Sequence, residues 1–198
     1  MPPSTETTPL PSDGRTQRRV RNRERVVESL IVLVREGYCR PTADQVAERA
    51  GVGRRTVFRH FDDLESLFAE MATQVRTEAR KSRMPLREDL SLPERVRELV
   101  SRRARLFEEM APFRRANAAH LWSSPVLRTF ETENSRELRE DFLNAIPELI
   151  ERTPAVVQGV ELLAGPETWD RLRDAQSLSF SEAETTIGAL ILQLLEDR

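Results

Sequence analysis

The sequence predicts an all-α chain in two parts, an N-terminal three-helix domain and a larger C-terminal helical bundle. Three observations lead there. Apolar residues recur at i, i+3, i+4 and i+7 through most of the chain. No stretch combines two-residue alternation with the turn signals of a hairpin. Charge, finally, is unevenly divided. Arg15 to His60 holds twelve Arg against five Asp or Glu, a balance of +7. Phe61 to Arg198 holds nineteen basic and twenty-six acidic residues, a balance of −7, so the net charge of −2 hides a basic head on an acidic body. A chain of 198 residues can bury a real core and accommodate a small domain fused to a larger one. The expected divisions are 1–14 as a tail, 15–63 as the small domain and 64–198 as the bundle.

Met1 to Gly14 is rich in Pro, Thr and Ser and too polar to bury anything, which predicts disorder. Arg15, Arg18, Arg19, Arg21, Arg23 and Arg25 follow. They are open to two readings, a solvated helical lead-in or an arm that follows phosphates or reaches a minor groove. The first helix is expected from about Asn22 to Glu36, with Val26, Val27, Leu30, Ile31 and Val34 as one apolar stripe and Gly37 as its end. Next comes TADQVAERAGVGRRTVFRHFDDLESL, Thr42 to Leu67, which reads as two short helices, a tight turn and the start of a longer helix. Thr42 and Gln45 form a capping box that satisfies two orphan N–H groups. Val46, Ala47 and Ala50 make a small apolar face, and Gly51 supplies the left-handed residue that ends the helix. Gly53 opens the second short helix, Arg54 to His60. At 100° per residue Val57 and Phe61 point inward while Arg55, Thr56 and Arg59 share the opposite face. A short helix with a buried back and a basic front, held by a Gly turn, is a helix-turn-helix reader.

Asp62 and Asp63 are expected to cap the next helix, with Glu65 closing a box on Asp62. Leu64, Leu67, Phe68, Met71 and Val75 carry its stripe to about Lys81. Ser82 to Leu92 reads as a loop. A helix over Pro93 to Met110 follows, with Val96, Leu99, Val100, Leu106 and Phe107 inward. Pro112 to Trp122 predicts a short helix and Pro125 to Ala145 a long one. Pro147 and Pro154 bracket a break, with helical segments at Ala155–Ala164 and Pro166–Gln176. The last helix, Ser181 to Glu196, has a cap option in Ser181 and Glu184. Its stripe of Ile187, Leu190, Ile191, Leu194 and Leu195 suits either its own core or half of a subunit interface.

Arg23 to about Met71 resembles the DNA-binding domain of the TetR family of bacterial transcriptional regulators. The matching residues are Gly37-Tyr38, Thr42, Val46-Ala47, Ala50-Gly51-Val52, Thr56-Val57-Phe58, His60-Phe61 and Leu67. Phe58 replaces the family's usual Tyr, Leu64 its usual Lys and Gly53 its usual Ser or Thr. Each change removes a potential backbone contact and leaves affinity to the arginines. The expected DNA contacts are Thr42, Arg54, Arg55, Thr56, Phe58, Arg59 and His60, with Arg18 and Arg21 from the arm. Arg55 and Arg59 are best placed for bases, and His60 for a phosphate.

The resemblance implies a homodimer on a palindromic double-stranded operator, most readily a repressor released by a small apolar or amphipathic effector. It places the effector pocket in the second domain, where Phe107, Met110, Phe113, His120, Trp122, Phe130 and Phe142 are the bulky or polarisable candidates. It places the dimer contact in the last helices, here Trp169, Ile187, Leu190, Ile191 and Leu194. It also makes the long helix from Leu64 the lever between effector and DNA, and the protein a bacterial, nucleoid-associated one. The alternative is a DNA-binding adaptor whose helical domain has no pocket and recruits a protein partner.

Enzymatic chemistry finds little footing. His60 and His120 are the only imidazoles and Cys39 the only thiol, and nothing marks a nucleophile beside them. There is no Gly-rich phosphate loop and no HExxH or CxxC spacing, so no metal or cofactor is expected. No run of about 18 apolar residues or apolar leader core is present, which predicts a cytoplasmic protein without a membrane span.

Overall fold

The computed structural model describes residues 14–81, 86–87, 89–121 and 124–196. Residues 1–13 of the expected tail 1–14 and the candidate Trp122 lie outside them, while Gly14 is the first residue of a helix. No strand occurs among the described residues, so the all-helical expectation holds. The chain divides into two compact units, Met1–Met71 and Ala72–Arg198.

In the first unit α1 spans Gly14–Arg35, starting about two turns earlier than expected. Arginine is a good helix former and neither Gly nor Pro interrupts 15–36, so the basic run simply continues the helix. Gly37, at φ +96°, ends it. α2 (Ala43–Ala50) and α3 (Arg54–His60) follow. The Thr42 N–H donates to Gln45 Oε1 at 2.8 Å, and the Gln45 N–H returns to Thr42 Oγ1 at 3.3 Å. Gly51 adopts φ +63°, and a Cβ there would lie 3.0 Å from the Arg25 guanidinium. Val26, Leu30, Val34, Val46, Val57, Phe61, Leu67 and Phe68 form the buried centre. α4 (Leu64–Lys81) begins in this unit and continues into the second. Its cap is Asp63 rather than the expected Asp62–Glu65 box. The Ser66 N–H donates to Asp63 Oδ1 at 2.7 Å, and the Ser66 hydroxyl to the Asp63 carbonyl at 2.9 Å.

In the second unit α5 runs unbroken over Leu92–Ala118, against the expected break before Pro112. Phe107 and Ala111 before that proline and Phe113 and Ala116 after it are all buried, so packing outweighs the hydrogen bond it removes. α6 (Pro125–Ala145) has the expected bounds and is capped by Ser124. A 3-10 turn (Pro147–Glu151), α7 (Pro154–Leu163) and α8 (Pro166–Asp170, extended by a π turn over Arg171–Ala175) lead to α9, Phe180–Glu196. The α9 cap pairs Ser179 with Glu182, not Ser181 with Glu184. Trp169 is 2% exposed, with Phe180 edge-on at 5.2 Å. Trp169, Ile187 and Ile191, expected between subunits, therefore belong to this chain's own core. They cluster with Phe107 and Phe142 because only one flank of the α9 stripe faces out. Leu190 is exposed and Leu194 half-buried.

Of the 31 basic residues 30 are arginine, and many serve helix ends. The last carbonyls of a helix lack intrahelical donors, and a cation there also meets the favourable end of the dipole. Arg25 donates to the carbonyl of Ala50, the final residue of α2, and Arg23 to that of His60, the final residue of α3. In the second unit Arg95 reaches Ala145 at the end of α6, Arg103 reaches Ala164 just past α7, and Arg152 reaches Leu195 near the end of α9. Arg23 does most. Beyond the 2.6 Å bond to His60 it pairs with Glu70 at 3.0 Å and lies 4.2 Å over the Phe61 ring. Replacing it by Met keeps the stem but removes all three interactions. Arg23→Met should lower the exchange protection of the α3 amides by ~1–2 kcal/mol, whereas Arg18→Met should leave it unchanged; hydrogen exchange on the full chain measures both.

Candidate nucleic-acid interface and ligand hollow

α3 is seven residues long, too short to hold a helix by itself, so its posture comes from what its back touches. Val57 and Phe61 are buried against α1 and α2, which turns Arg55 and Arg59 outward. Neither forms a hydrogen bond or ion pair with another described residue, and both are exposed. Thr56 lies half-buried beside them, and Phe58 is 39% exposed. Arg54 differs: it pairs with Asp44 of α2 at 2.9 Å and stacks 5.6 Å over the Phe58 ring. Thr42 stands at the α2 N-terminus, its hydroxyl donating to Gln45 Oε1 at 3.1 Å. Arg18 and Arg21 are exposed on the first turns of α1.

His60 is a correction. Expected at a phosphate, its side chain faces inward and is 9% exposed, with Nε2 buried and unbonded. Its register explains this, since His60 follows Val57 by three positions and shares its buried face. Burial first, then the charges of Arg59, Arg19 and Arg23, hold the imidazole below its ordinary pKa of 6.5. Arg23 and Arg25, part of the basic run, are also taken up inside the unit.

The second unit contains a hollow of about 460 Å³ between α5, α6, α7 and the start of α8. Leu138, Phe142, Leu143 and Val157 give it apolar walls, and Ser135 and Gln158 add polar groups. Arg103 forms its floor, 8% exposed, donating to the carbonyls of Ala164 and Leu138 beside the Phe142 ring. Arg139 and Glu161 line it as an ion pair joining α6 to α7. Of the expected pocket residues among those described, only Phe142 is there. Phe107 and Phe113 are buried in the core, Met110 and His120 are half-buried elsewhere, and Phe130 carries Arg76 at 4.7 Å over its ring. The signal that could have found the hollow is Arg103 itself, a cation in register with Leu99, Val100, Ala104 and Phe107 on the buried side of α5.

A basic helix presented outward from a Gly-turned pair is the arrangement of a helix-turn-helix unit. Residues 28–71 match the family model described as bacterial regulatory proteins, tetR family. No curated protein matches the chain. Among solved structures, a TetR transcriptional regulator from Rhodococcus sp. RHA1 is similar with a TM-score of 0.58 at 21% identity, over 94% of this chain and 98% of that one. A tetR-family regulator from Streptomyces coelicolor gives 0.66 at 16% identity, over 87% of this chain and 79% of that one. The multidrug binding protein EbrR, complexed with imidazole, gives 0.59 at 17% identity, over 96% of each chain. Residues 28–71 thus carry the N-terminal domain of the tetR family, and the chain as a whole has the fold of that family's regulators. No helix among the described residues is long and apolar enough to cross a membrane.

The buried imidazole sets a pH dependence. Because the folded pKa lies below 6.5, the unfolded chain takes up a proton in acid that the folded chain refuses. Stability is full above that value and falls as pH drops through the window beneath it. His60→Gln should flatten this fall below the ordinary imidazole pKa of 6.5, as followed by thermal melts of the full chain.

Proposed function

We propose that the protein is a homodimeric repressor that reads a palindromic operator through α3 and leaves it when a small molecule occupies the second unit. The observation that carries the reading is the pair Arg55 and Arg59, exposed and unpaired on a helix whose back is buried. Guanidinium forks suit guanine O6 and N7 in a major groove, and Thr56 suits a thymine methyl. One such helix contacts too few base pairs for useful specificity, so a two-fold dimer is the economical solution, with half-sites about 34–36 Å apart. Leu190 and Leu194, the outward flank of α9, are the residues available for it.

The hollow supports the effector part, and an apolar wall beside buried Arg103 suits an amphipathic molecule. A route towards the DNA-binding unit runs along one helix. α6 supplies Ser135, Leu138 and Phe142 to the hollow, while its Glu133 pairs with Arg76 at 2.8 Å and its Glu137 with Arg76 and Arg80. Both arginines lie on α4, which runs without a break from Leu64 to Lys81. A ligand that shifts α6 thereby acts on α4, and it favours release only by binding that geometry better.

Selecting duplexes from a random pool tests the first part. Enriched sequences should carry two-fold half-sites. Arg55→Ala or Arg59→Ala should lower the specific-to-nonspecific ratio by about 1–3 kcal/mol for each base no longer read. A pool without enrichment would sink the reading. For the second part, a small molecule that raises the melting temperature through the hollow should weaken operator binding, and Phe142→Ala should blunt both effects. A tight ligand that leaves operator affinity unchanged would instead favour an adaptor that recruits protein.

A further inference from the structure

We propose that the hollow of the second unit selects an organic cation, an apolar body carrying one protonated amine or amidine, with Glu167 of α8 and Glu131 of α6 as its counter-charges. The inference rests on the reading of that hollow as the effector site and adds the charge of what enters it.

The first observation is which charges around the hollow are already engaged. Among the described residues four charged side chains line it, Arg103, Arg139, Glu161 and Glu167. Arg103 donates to the carbonyls of Ala164 and Leu138, and Arg139 and Glu161 neutralise each other. Glu167 forms no hydrogen bond or ion pair with another described residue. Its carboxylate lies back over the chain, since a Cβ on Gly165 would stand 3.1 Å from Glu167 Oε2. Gly165 lines the hollow as well, so the carboxylate sits at its edge.

The second observation is Glu131. It stands one turn before Ser135 on α6 and shares the face that gives Ser135, Leu138 and Phe142 to the hollow. It is half-buried, yet it too forms no hydrogen bond or ion pair with another described residue. Its neighbours on α6 show the contrast, since Glu133 and Glu137 are held by Arg76. Burial first, and then the charge of Glu167, raise the Glu131 carboxyl above its ordinary pKa of 4.5. Arg114 opposes this only in part and is itself paired with Asp170. Two like charges on α6 and α8 thus feel each other at the edge of an apolar hollow. Partly desolvated carboxylates so placed cost free energy that a cation recovers.

The hollow is the site, and the carboxylates set the sign of what it holds. Leu138, Phe142 and Val157 offer surface to the apolar body. An organic acid would meet Glu167 at the edge, would find Arg139 taken by Glu161, and would have to draw Arg103 from two carbonyls.

The test compares three probes of one shape, phenylbutylamine, phenylbutanol and phenylbutyrate, by calorimetry and thermal melts on the full chain near neutral pH. Loss of binding in Phe142→Ala identifies the hollow as the place bound. The amine should bind at least about tenfold tighter than the alcohol, the size of one hydrogen bond to a charged group, and the butyrate should bind weakest. E131Q/E167Q should bring amine and alcohol level while leaving the alcohol's affinity unchanged. Amine affinity should also fall in acid as Glu131 takes a proton, and E131Q should flatten that fall. Without ligand, E131Q should melt no lower than the unaltered protein, because a repelling charge has gone; a lower melt marks Glu131 as structural and overturns its assignment. Butyrate binding best through the hollow, or an amine preference that survives in E131Q/E167Q, overturns this inference alone and leaves the effector reading standing. Failure of all three probes to bind overturns both.

Discussion

Arg23 joins three elements with one planar group: it donates to the carbonyl that ends α3, pairs with Glu70 of α4, and covers the ring of Phe61 between them. The need it meets is general to short helices. A seven-residue helix has at least as many unsatisfied terminal groups as internal hydrogen bonds. Gly53 offers no side-chain cap at its start, so the C-terminal end must be secured from outside. Arginine suits this because its fork can serve a carbonyl and a carboxylate together, whereas a lysine ammonium is a point charge. The same solution recurs where Arg25 meets α2 and where Arg95, Arg103 and Arg152 meet helix ends of the second unit. The C-terminal end of α3 is thus held by α1.

How much of the fold is legible in the sequence depends on the range of the interaction. The Thr42–Gln45 box, the left-handed Gly51 and the bounds of α6 are written within a few residues, and the structure has them as expected. Caps chosen between neighbouring candidates are not legible in this way. Asp63 and Ser179 win over Asp62 and Ser181 by one and two positions, a difference set by how each chain segment enters its helix. Pro112 reads locally as a breaker, yet the apolar row from Phe107 to Ala116 is buried on both sides of it. Tertiary burial decides the matter, as it decides that Trp169, Ile187 and Ile191 fill their own core.

The hollow escapes a sequence reading for a related reason. Large aromatic side chains gain most from complete burial, so Phe107 and Phe113 go to the core and not to a cavity wall. What remains around the hollow is one row from each of several helices, far apart in sequence: Arg103, Ser135 and Leu138, Val157 and Gln158, then Gly165. No single stretch announces such a site. Arg103 could have, because a buried cation among Leu99, Val100 and Phe107 has to find acceptors. Those acceptors, the carbonyls of Leu138 and Ala164, belong to the segments that wall the hollow. The residue that fastens segments of the second unit together is therefore also one that lines the hollow.

Geometry also sharpens the meaning of the charge split. A balance of +7 over Arg15 to His60 points to a polyanion, but it does not say which charges remain available. Arg23, Arg49 and Arg54 are paired with carboxylates, and Arg25 with a carbonyl. Their positive charge still contributes to the long-range field, because a surface ion pair neutralises only its own neighbourhood. Short-range interactions are another matter, since a guanidinium already holding a partner must surrender it first. Arg55 and Arg59 carry no such cost, and neither do Arg18, Arg19 and Arg21 on α1. Among chemically identical side chains, those facing a helix end or a carboxylate build the domain, and those facing nothing are the ones the proposed operator contact can draw on.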